Sequence, residues 1–372
     1  MTGHRLTTRE LNRATLARQL LLERAPLSAY DAVAHLAGMQ AQAPLSPYVG
    51  LWTRLAPFAP DDLVARYQDR SVVRLALMRG TVHLVTDADA SAWRALVEPV
   101  IVRGTNSAFG RHYRDLDREA LAKAARQLTE PEPRTFAELG PLLAERFPGR
   151  DPAALAQAAR AHVPLVQVPP RGLWGHTGRV AHAPAEAWFG RALTPDATPD
   201  AMILRYLAAF GPASVMDAQA WSGLTRLKES FDRLRPQLST FRGENDVELY
   251  DLPDAPRPPA DTPAPPRFLP EYDNLLFSHA DRTRVVPAHA PAIPLFPGIG
   301  ATRGMILTDG TWSGLWRFDK PTRQDPARLT VTHFTTLTSA DEAALTAEAD
   351  NLLALLAPGA TDPRLEITPA PA

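Results

Sequence analysis

Cysteine is absent from this sequence of 372 residues. Disulfide bonds and thiolate metal ligands are therefore excluded, and a zinc ion would have to be held by histidine and carboxylate side chains alone. The absence of cysteine also fits a protein that functions in the cytoplasm.

Long apolar runs are missing as well. No stretch of about 18 consecutive apolar residues occurs, and residues 1–13 are polar and charged, so we expect neither a membrane-spanning helix nor a secretion signal. With 45% hydrophobic and 22% charged residues, the composition is typical of a soluble globular protein that is long enough for two to four domains.

A strong net charge is also lacking. The formal charge of −1 argues against a protein that coats nucleic acid through bulk electrostatics. Arginine outnumbers lysine 37 to 3, which a high-GC genome would produce whatever the function. Residues 1–115 contain 14 arginines and no lysine against 10 acidic residues, so the N-terminal third is modestly basic and compatible with a local DNA contact surface.

Three consecutive segments show one pattern, in which helices precede two short strands. In the first segment, Thr7 and Glu10 have the spacing of a capping box, as do Ser28 and Asp31. Two β-branched, apolar runs then flank Arg79-Gly80 and predict a hairpin. Helices followed by a two-stranded wing are typical of a winged-helix domain, so the pattern favours three tandem copies.

The second and third segments repeat this pattern from residue 116 onward. The elements predicted for them are a helix that begins after Thr135, a helix from Asp151 to about His162, a strand over 163–168, a loop over 169–176, helices over 200–210, from Ser214 and over 224–234, and a hairpin around 243–246.

The C-terminal part begins after a proline-rich stretch. Eight prolines lie between Pro253 and Pro270, a composition that predicts a linker or surface strap. Asp309-Gly310 between two alternating runs predicts a further hairpin, and a helix is expected over 339–356. Trp312 and Trp316 are four apart on the second strand, so we expect them to face one side and to pack in the core.

Residues 268–284 read FLPEYDNLLFSHADRTR, which places Asp273, Asn274, His279, Asp281, Arg282 and Arg284 around an apolar centre. This stretch closely resembles the signature of the bacterial winged-helix DNA glycosylases of the AlkZ/YcaQ type, which excise N7-alkylated purines and unhook interstrand crosslinks. Gln40-Ala41-Gln42 stands where that family has its catalytic pair, and the residues around His83 also resemble the family.

The resemblance implies an α+β fold with three tandem winged-helix domains and a C-terminal β-barrel-like domain. We place the winged helices at 1–114, 115–195 and 196–252, the linker at 253–270 and the barrel-like domain, with its terminal helix, at 271–372. A barrel hairpin that probes the DNA groove would be an alternative role for the two tryptophans.

The resemblance also implies that Gln40 and Gln42 are catalytic. Alkylation at N7 makes the purine cationic, so the base leaves readily and the enzyme has only to position a water and stabilise charge on the sugar. A carboxamide suits this task because it both donates and accepts and does not titrate. The YcaQ-like branch has Asp where Gln42 stands, so Gln42 indicates the AlkZ-like branch, which is associated with antibiotic self-resistance and crosslinked adducts.

Both glutamines can contact one water only if the backbone between them is extended, because residues i and i+2 share a face in extended chain but not in a helix. Gly38 just before the pair and Pro44 just after it favour such a conformation at Gln40–Gln42. Without the resemblance, two glutamines at a helix end are usually solvated surface residues.

The remaining candidate residues have alternative interpretations. His83 either contributes to the active site or is a half-buried strand histidine with a satisfied hydrogen bond. Asp273-Asn274 caps a turn or ties the barrel-like domain to the winged helices. His279 and Asp281 lack the further spacing of a metal site, so His279 is expected in a structural or DNA-proximal role. Candidates for phosphate contacts, each also explicable as a solvated arginine or histidine, are Arg74, Arg79, Arg171, His176, Arg179, Arg282, Arg284 and Arg303.

These observations predict a monofunctional glycosylase without metal or cofactor. Its partner would be double-stranded DNA carrying alkylated purines, with no obligate protein partner and no membrane, and it would be cytoplasmic and nucleoid-associated when on DNA. No lysine near the glutamines could form a Schiff base, so lyase activity is not expected. The alternative is a winged-helix transcription regulator or another non-catalytic DNA-binding protein.

Overall fold

The structure, a computed structural model, describes residues 5–288, 290, 303–323 and 325–370. Helices and short strands are mixed along the chain, which confirms the predicted α+β class. Within the described ranges, no helix has both the length and the apolar character needed to cross a membrane.

The first part of the chain, up to residue 109, contains six helices and three strands among its described residues. They are α1 (Thr8–Arg18), α2 (Ala29–His35), β1 (Met39–Gln40), α3 (Ser46–Trp52), α4 (Pro60–Gln68), β2 (Val72–Ala76), β3 (Val82–Thr86), α5 (Asp87–Trp93) and α6 (Glu98–Phe109). A short 3-10 turn, Met78–Gly80, joins β2 to β3.

The middle part continues the predicted pattern. Its elements are α7 (Arg118–Thr129), β4 (Arg134–Thr135), α8 (Phe136–Arg146), α9 (Pro152–His162), β5 (Leu165–Gln167), β6 (Ala181–Pro184), α10 (Ala185–Phe189), α11 (Asp200–Phe210), α12 (Val215–Ser222), α13 (Lys228–Leu234), β7 (Ser239–Arg242) and β8 (Glu248–Asp251).

The C-terminal part consists mainly of strands. It contains β9 (Arg267–Leu269), β10 (Gly304–Thr308), β11 (Thr311–Asp319), β12 (Arg328–His333), α14 (Ser339–Leu356) and β13 (Arg364–Pro369). The Asp-Gly hairpin and the terminal helix both lie where the sequence predicts them.

The helix starts follow from local hydrogen bonding. Thr7 and Glu10 form a reciprocal capping box at α1, and the same arrangement opens α8 and α12. Asp151 accepts from the backbone of Ala154, and Pro152 occupies the first turn of α9. These side chains satisfy amide donors that have no partner inside the helix, which is why the boundaries could be predicted.

Strands from the first two segments form one sheet. Its six strands have the order β1-β3-β2-β5-β6-β4, and β2 pairs with β5 through Arg74–Gln167 and Leu75–Val166. The wings expected for residues 1–114 and 115–195 are therefore hydrogen-bonded to each other. The short strand β1 lies at one edge and carries Gln40.

The C-terminal strands form an open five-stranded sheet in the order β13-β12-β11-β10-β9. Its two end strands are not paired with each other, so the described residues do not show a closed barrel. Phe268, in the middle of β9, is fully buried although it lies within the range predicted as linker. Pairing of Arg267–Leu269 with β10 accounts for the difference, because it draws the end of the proline-rich stretch into the sheet.

The expectation that Trp312 and Trp316 share a face is wrong. Leu307 pairs with Trp312 and Ile306 with Gly314, so Ser313 is an extra residue that interrupts the alternation of β11. Trp312 packs with Leu16 and Leu275, whereas Trp316 packs with Phe268 on the other face. Both are buried, as expected for core residues.

The helix predicted over 224–234 is shorter than expected. Gly223 ends α12 in a left-handed conformation, and α13 begins only at Lys228. Residues 223–226, between them, form no regular element, and a Cβ on Gly223 would lie 3.2 Å from the Arg79 Cα at the β2–β3 hairpin. This contact brings the third segment to the tip of the first.

Candidate active site

The chain leaves helical geometry immediately before Gln40. Ala37 and Gly38 have φ of 53° and 87°, and a Cβ on Gly38 would lie 2.6 Å from the Val85 Cγ1, so only glycine fits there. Met39 and Gln40 then pair with Leu84 and His83 on β3. The extended conformation expected for Gln40–Gln42 is confirmed at Gln40, the last residue of β1, whereas Gln42 lies in a bend.

Gln40 and Gln42 meet side by side. Gln40 Nε2 donates to Gln42 Oε1 at 2.5 Å, as the shared face of an extended chain allows. Gln40 is 4% exposed, whereas Gln42 is exposed to solvent. The pair therefore runs from the protein interior to its surface.

Arg79 contacts Gln40 from the opposite side. Its Nη2 donates to Gln40 Oε1 at 2.7 Å and to Asn274 Oδ1 at 2.8 Å, and its Nη1 donates to the backbone oxygen of Trp221 at 2.6 Å. Nη2 also lies 3.3 Å from His83 Nε2. Desolvation of this partly buried side chain lowers the pKa of Arg79 to about 9, which leaves the guanidinium charged at neutral pH.

His83 is fully buried and remains neutral. Its burial, assisted by the charge of Arg79, lowers the pKa of the imidazole to about 3. Nδ1 lies 3.1 Å from the backbone oxygen of Thr81, to which it can only donate, so Nε2 carries the lone pair that faces Arg79. The histidine supports the arginine and is not poised to exchange protons near pH 7.

Arg74 holds the residue between the two glutamines. Its Nη2 donates to the backbone oxygen of Ala41 at 2.5 Å, and the residue is only 1% exposed. A direct phosphate contact, one of the roles expected for Arg74, is therefore not open to it. Burial lowers the pKa of Arg74, and its Nε and Nη1 make no hydrogen bond within the described residues.

The C-terminal signature, residues 268–284, also contacts the residues around Gln40. Asp273 forms a buried ion pair with Arg54, which follows α3, and its carboxylate also caps the turn Asn274–Leu276. Asn274 Nδ2 donates to the backbone oxygen of Gly38 at 3.2 Å while its Oδ1 accepts from Arg79. The two motifs that carry the family resemblance are thus joined through Arg79 and Gly38.

The sequence matches the family described as DNA glycosylase AlkZ-like over residues 33–355, which is most of the chain. The chain belongs to this AlkZ-like family. Membership indicates an enzyme of the DNA glycosylase class, which hydrolyses N-glycosyl bonds and has DNA as its substrate.

Comparison with solved structures identifies a protein of the same fold. The Streptomyces sahachiroi DNA glycosylase AlkZ matches with a TM-score of 0.73 and 20% sequence identity, over 98% of this chain and 100% of that chain. A search of curated proteins gives no match.

The other candidates of this AlkZ-like chain divide into buried and exposed groups. Arg284 is buried and donates to Thr15 and to the backbone oxygen of Pro212, and His279 is buried against the backbone oxygen of Phe210. Neither reaches the surface, so the phosphate contact expected for Arg284 and the DNA-proximal role considered for His279 do not fit. The described residues contain no cluster of three or more histidine, cysteine or acidic side chains able to hold a metal ion.

The phosphate contact expected for Arg79 does not fit either, because its guanidinium donates to Gln40, Asn274 and the Trp221 backbone. The remaining phosphate candidates lie nearer the surface. Arg179 is exposed and forms an ion pair with Glu138, His176, Arg282 and Arg303 are exposed, and Arg171 is partly buried. Their contact with DNA stays a prediction.

Several residues around Gln40 were not singled out from the sequence as parts of its surroundings. Arg54 and Trp221 carried no motif, and the direction of the Arg79 side chain could not be read from its place at a hairpin tip. The signature at 268–284 identified Asn274 as a candidate, but it did not show that Asn274 contacts Arg79.

Proposed function

We propose that this chain is a monofunctional DNA glycosylase that hydrolyses the N-glycosidic bond of N7-alkylated purines, including bulky adducts and interstrand crosslinks. The observation that carries this proposal is the contact between Gln40 and Gln42, in which one amide is buried and the other reaches solvent. A substrate at the surface can therefore contact Gln42, whose amide is oriented by its hydrogen bond from the buried Gln40.

The chemistry required is modest because the lesion supplies most of the driving force. An N7-alkylated purine carries a positive charge that is lost when the glycosidic bond breaks, so the leaving base needs no proton. The sugar becomes cationic, and a water must be directed at C1′. Amide dipoles can perform both tasks without a titratable group.

The hydrogen bonds distribute these tasks between the two glutamines. Gln40 Oε1 is engaged by Arg79, so Gln40 acts as a donor toward Gln42. Gln42 Oε1 accepts this bond with one lone pair and keeps a second. A water that donates to this second lone pair would direct its own oxygen at the sugar.

Lyase chemistry has no nucleophile here. Cleavage of the backbone after base removal requires an amine that forms a Schiff base, and the side chains that surround Gln40, those of Arg79, His83 and Asn274, include no lysine. The product would be an abasic site.

We also infer how the chain is organised for this task. The three winged-helix units proposed at 1–114, 115–195 and 196–252 and the C-terminal part from 271 would form an open surface for duplex DNA, because a bulky or crosslinked base cannot be flipped fully into a tight pocket. Protection of the chromosome against a DNA-alkylating natural product is the biological role that fits such a substrate.

Base release from defined duplexes tests the proposal. Duplexes with a single N7-methylguanine, a bulky N7-guanine adduct or an N7 crosslink should each yield free modified base and an alkali-labile site. The Gln40→Ala/Gln42→Ala double variant should lose this activity, while Gln127→Ala, on the exposed face of α7, should keep it. Release of base by the double variant at the wild-type rate would refute the assignment. Sequence-specific duplex binding without base release would favour a regulator instead.

A further inference from the structure

The guanidinium of Arg79 lies where four parts of the chain converge. Its hydrogen-bond partners are Gln40 on β1, Asn274 in the C-terminal signature and the backbone of Trp221 at the end of α12, and His83 on β3 lies beside it. All four are neutral. Among the described residues, no carboxylate is paired with Arg79.

A guanidinium has donors only, and this property has a consequence for its partners. The amide atom of Gln40 that faces Arg79 must be the oxygen. The nitrogen of Gln40 must then face Gln42, so the atom of Gln42 that it meets must also be an oxygen. The Arg79 cation thereby decides, for both Gln40 and Gln42, which way the amide oxygen and which way the amide nitrogen points.

We propose that Arg79 is a positioning residue that sets the amide orientation of both Gln40 and Gln42. This inference rests on the proposed function only for its kinetic consequence, since the orientation itself exists in the free protein. Without Arg79, either amide could rotate by 180° and present nitrogen where the water needs an acceptor.

The surroundings of Arg79 fit this role. Its backbone has φ of 57°, a left-handed conformation that is uncommon for a residue with a side chain. The Asn274 amide is itself oriented by the backbone oxygen of Gly38, and the guanidinium lies 5.6 Å from the ring centre of Phe277. The strained turn and these contacts aim the side chain inward, although hairpin-tip arginines are usually solvated.

The absence of a carboxylate partner matters as well. An acid beside Arg79 would compete with Gln40 Oε1 for the same Nη2 donor, because ionised acceptors form the stronger hydrogen bonds. Neutral amide acceptors leave the cation to polarise Gln40 and, through it, Gln42. His83 cannot take over this role, because its Nε2 presents a lone pair and not a proton.

Substitutions of Arg79 distinguish orientation from packing. Arg79→Met keeps most of the side-chain length without a donor, and Arg79→Lys restores a donor-only head. We expect Arg79→Met to lower the single-turnover rate of base release by roughly 10- to 100-fold, the equivalent of one hydrogen bond to a charged group, with an unchanged Kd for DNA. Arg79→Lys should recover part of this loss.

Chemical rescue provides an independent measurement. Arg79→Gly suits the left-handed backbone and leaves space for a small cation, so added guanidinium should restore part of its rate. Arg70→Gly is a matched control, since Arg70 has φ of 63° and is exposed at the far end of β2. It should keep the wild-type rate and show no response to guanidinium.

Nuclear magnetic resonance separates this inference from the proposed function. In protein labelled with ¹⁵N-glutamine, the side-chain NH2 of Gln40, assigned with Gln40→Ala, should exchange slowly with solvent in wild type and rapidly in Arg79→Met. A wild-type protein that released no base would refute the function and leave this test intact. Unchanged exchange in Arg79→Met, or a rate equal to wild type, would overturn the positioning role.

Discussion

Arg54 and Asp273 form a two-point ion pair in the protein interior. Arg54 Nη2 contacts Asp273 Oδ1 at 2.9 Å, Arg54 Nη1 contacts Asp273 Oδ2 at 2.9 Å, and both side chains are less than 5% exposed. The pair joins residues 219 positions apart in the sequence, directly beside the turn that carries Asn274. It fixes the C-terminal signature against the part of the chain that carries Gln40.

Removing one partner should therefore be costly. Asp273→Ala leaves the Arg54 guanidinium buried without its counter-ion, and we expect a loss of about 3–5 kcal/mol in the free energy of unfolding. Chemical denaturation measures this loss. The exposed pair Lys228–Asp232 serves as the control, because Asp232→Ala should cost only about 0.3–0.5 kcal/mol. Similar losses for the two variants would contradict the role assigned to the buried pair.

Gly38→Ala should damage both stability and activity. The substitution places a Cβ 2.6 Å from Val85 Cγ1 and requires φ of 87°, so β1 would have to shift away from β3. Gly149→Ala measures the part of the stability loss that comes from the backbone conformation alone. Gly149 also has a positive φ, of 79°, but no atom lies within 4 Å of the added carbon. We expect Gly149→Ala to cost about 1–2 kcal/mol with full base release. Thermal unfolding and single-turnover kinetics should show a larger stability loss and slower base release for Gly38→Ala.

The sequence predicts best what depends on near neighbours. The capping residues Thr7, Thr135 and Ser214, and the Asp309-Gly310 turn, act within four positions, and the structure places them as expected. The extended conformation around Gln40 belongs to the same class, because Gly38 and Pro44 act locally.

The sequence does not predict irregularities within a strand or contacts with distant partners. The bulge at Ser313 turns Trp312 and Trp316 to opposite faces, and no local pattern announces an extra residue in a strand. Pairing of β2 with β5 joins strands of two segments in one sheet, and the inward direction of Arg79 depends on Trp221 and Asn274. The β2–β5 pairs and the contacts of Arg79 with Trp221 and Asn274 span more than 80 positions, so they follow from the packing of whole segments.

Buried histidines should make the fold acid-sensitive. Burial lowers the pKa of His83 to about 3 and that of His182 to about 4. Below about pH 6.5, both imidazoles therefore bind a proton in the unfolded chain but stay neutral in the folded chain. Each histidine thus contributes stability that is fully present above pH 6.5 and is lost as the pH falls toward its folded pKa, about 4 for His182 and about 3 for His83. The expected slope is about 1.4 kcal/mol per pH unit and histidine.

His182→Phe tests this slope. The His182 ring stacks on Phe136 at 4.2 Å between centroids, and its buried Nδ1 has no hydrogen-bond partner within the described residues. Phenylalanine should therefore keep the stacking and lose only the hydrogen bond between the ring and the Arg134 backbone. Denaturation between pH 4 and 6.5 should show a shallower decline for this variant than for wild type. His176→Ala, at an exposed position, should keep the wild-type slope. An unchanged slope in His182→Phe would show that this histidine is not the acid-labile group.

Replacing Gln42 by Asp should convert a flat pH profile into a titration. In wild type the two carboxamides do not ionise and His83 stays neutral, so the single-turnover rate of base release should be constant between about pH 5 and 8. In Gln42→Asp, the carboxylate can accept from Gln40 and from a water only when it is ionised, and carboxyl groups titrate near pH 4. The rate should therefore decline as the pH falls below about 5.

Gln42→Asn has the same shape as the Asp variant without its charge, so it should be slower than wild type at every pH with a flat profile. A titration in wild type, or the same profile in the Asn and Asp variants, would mean that a group other than residue 42 governs the water.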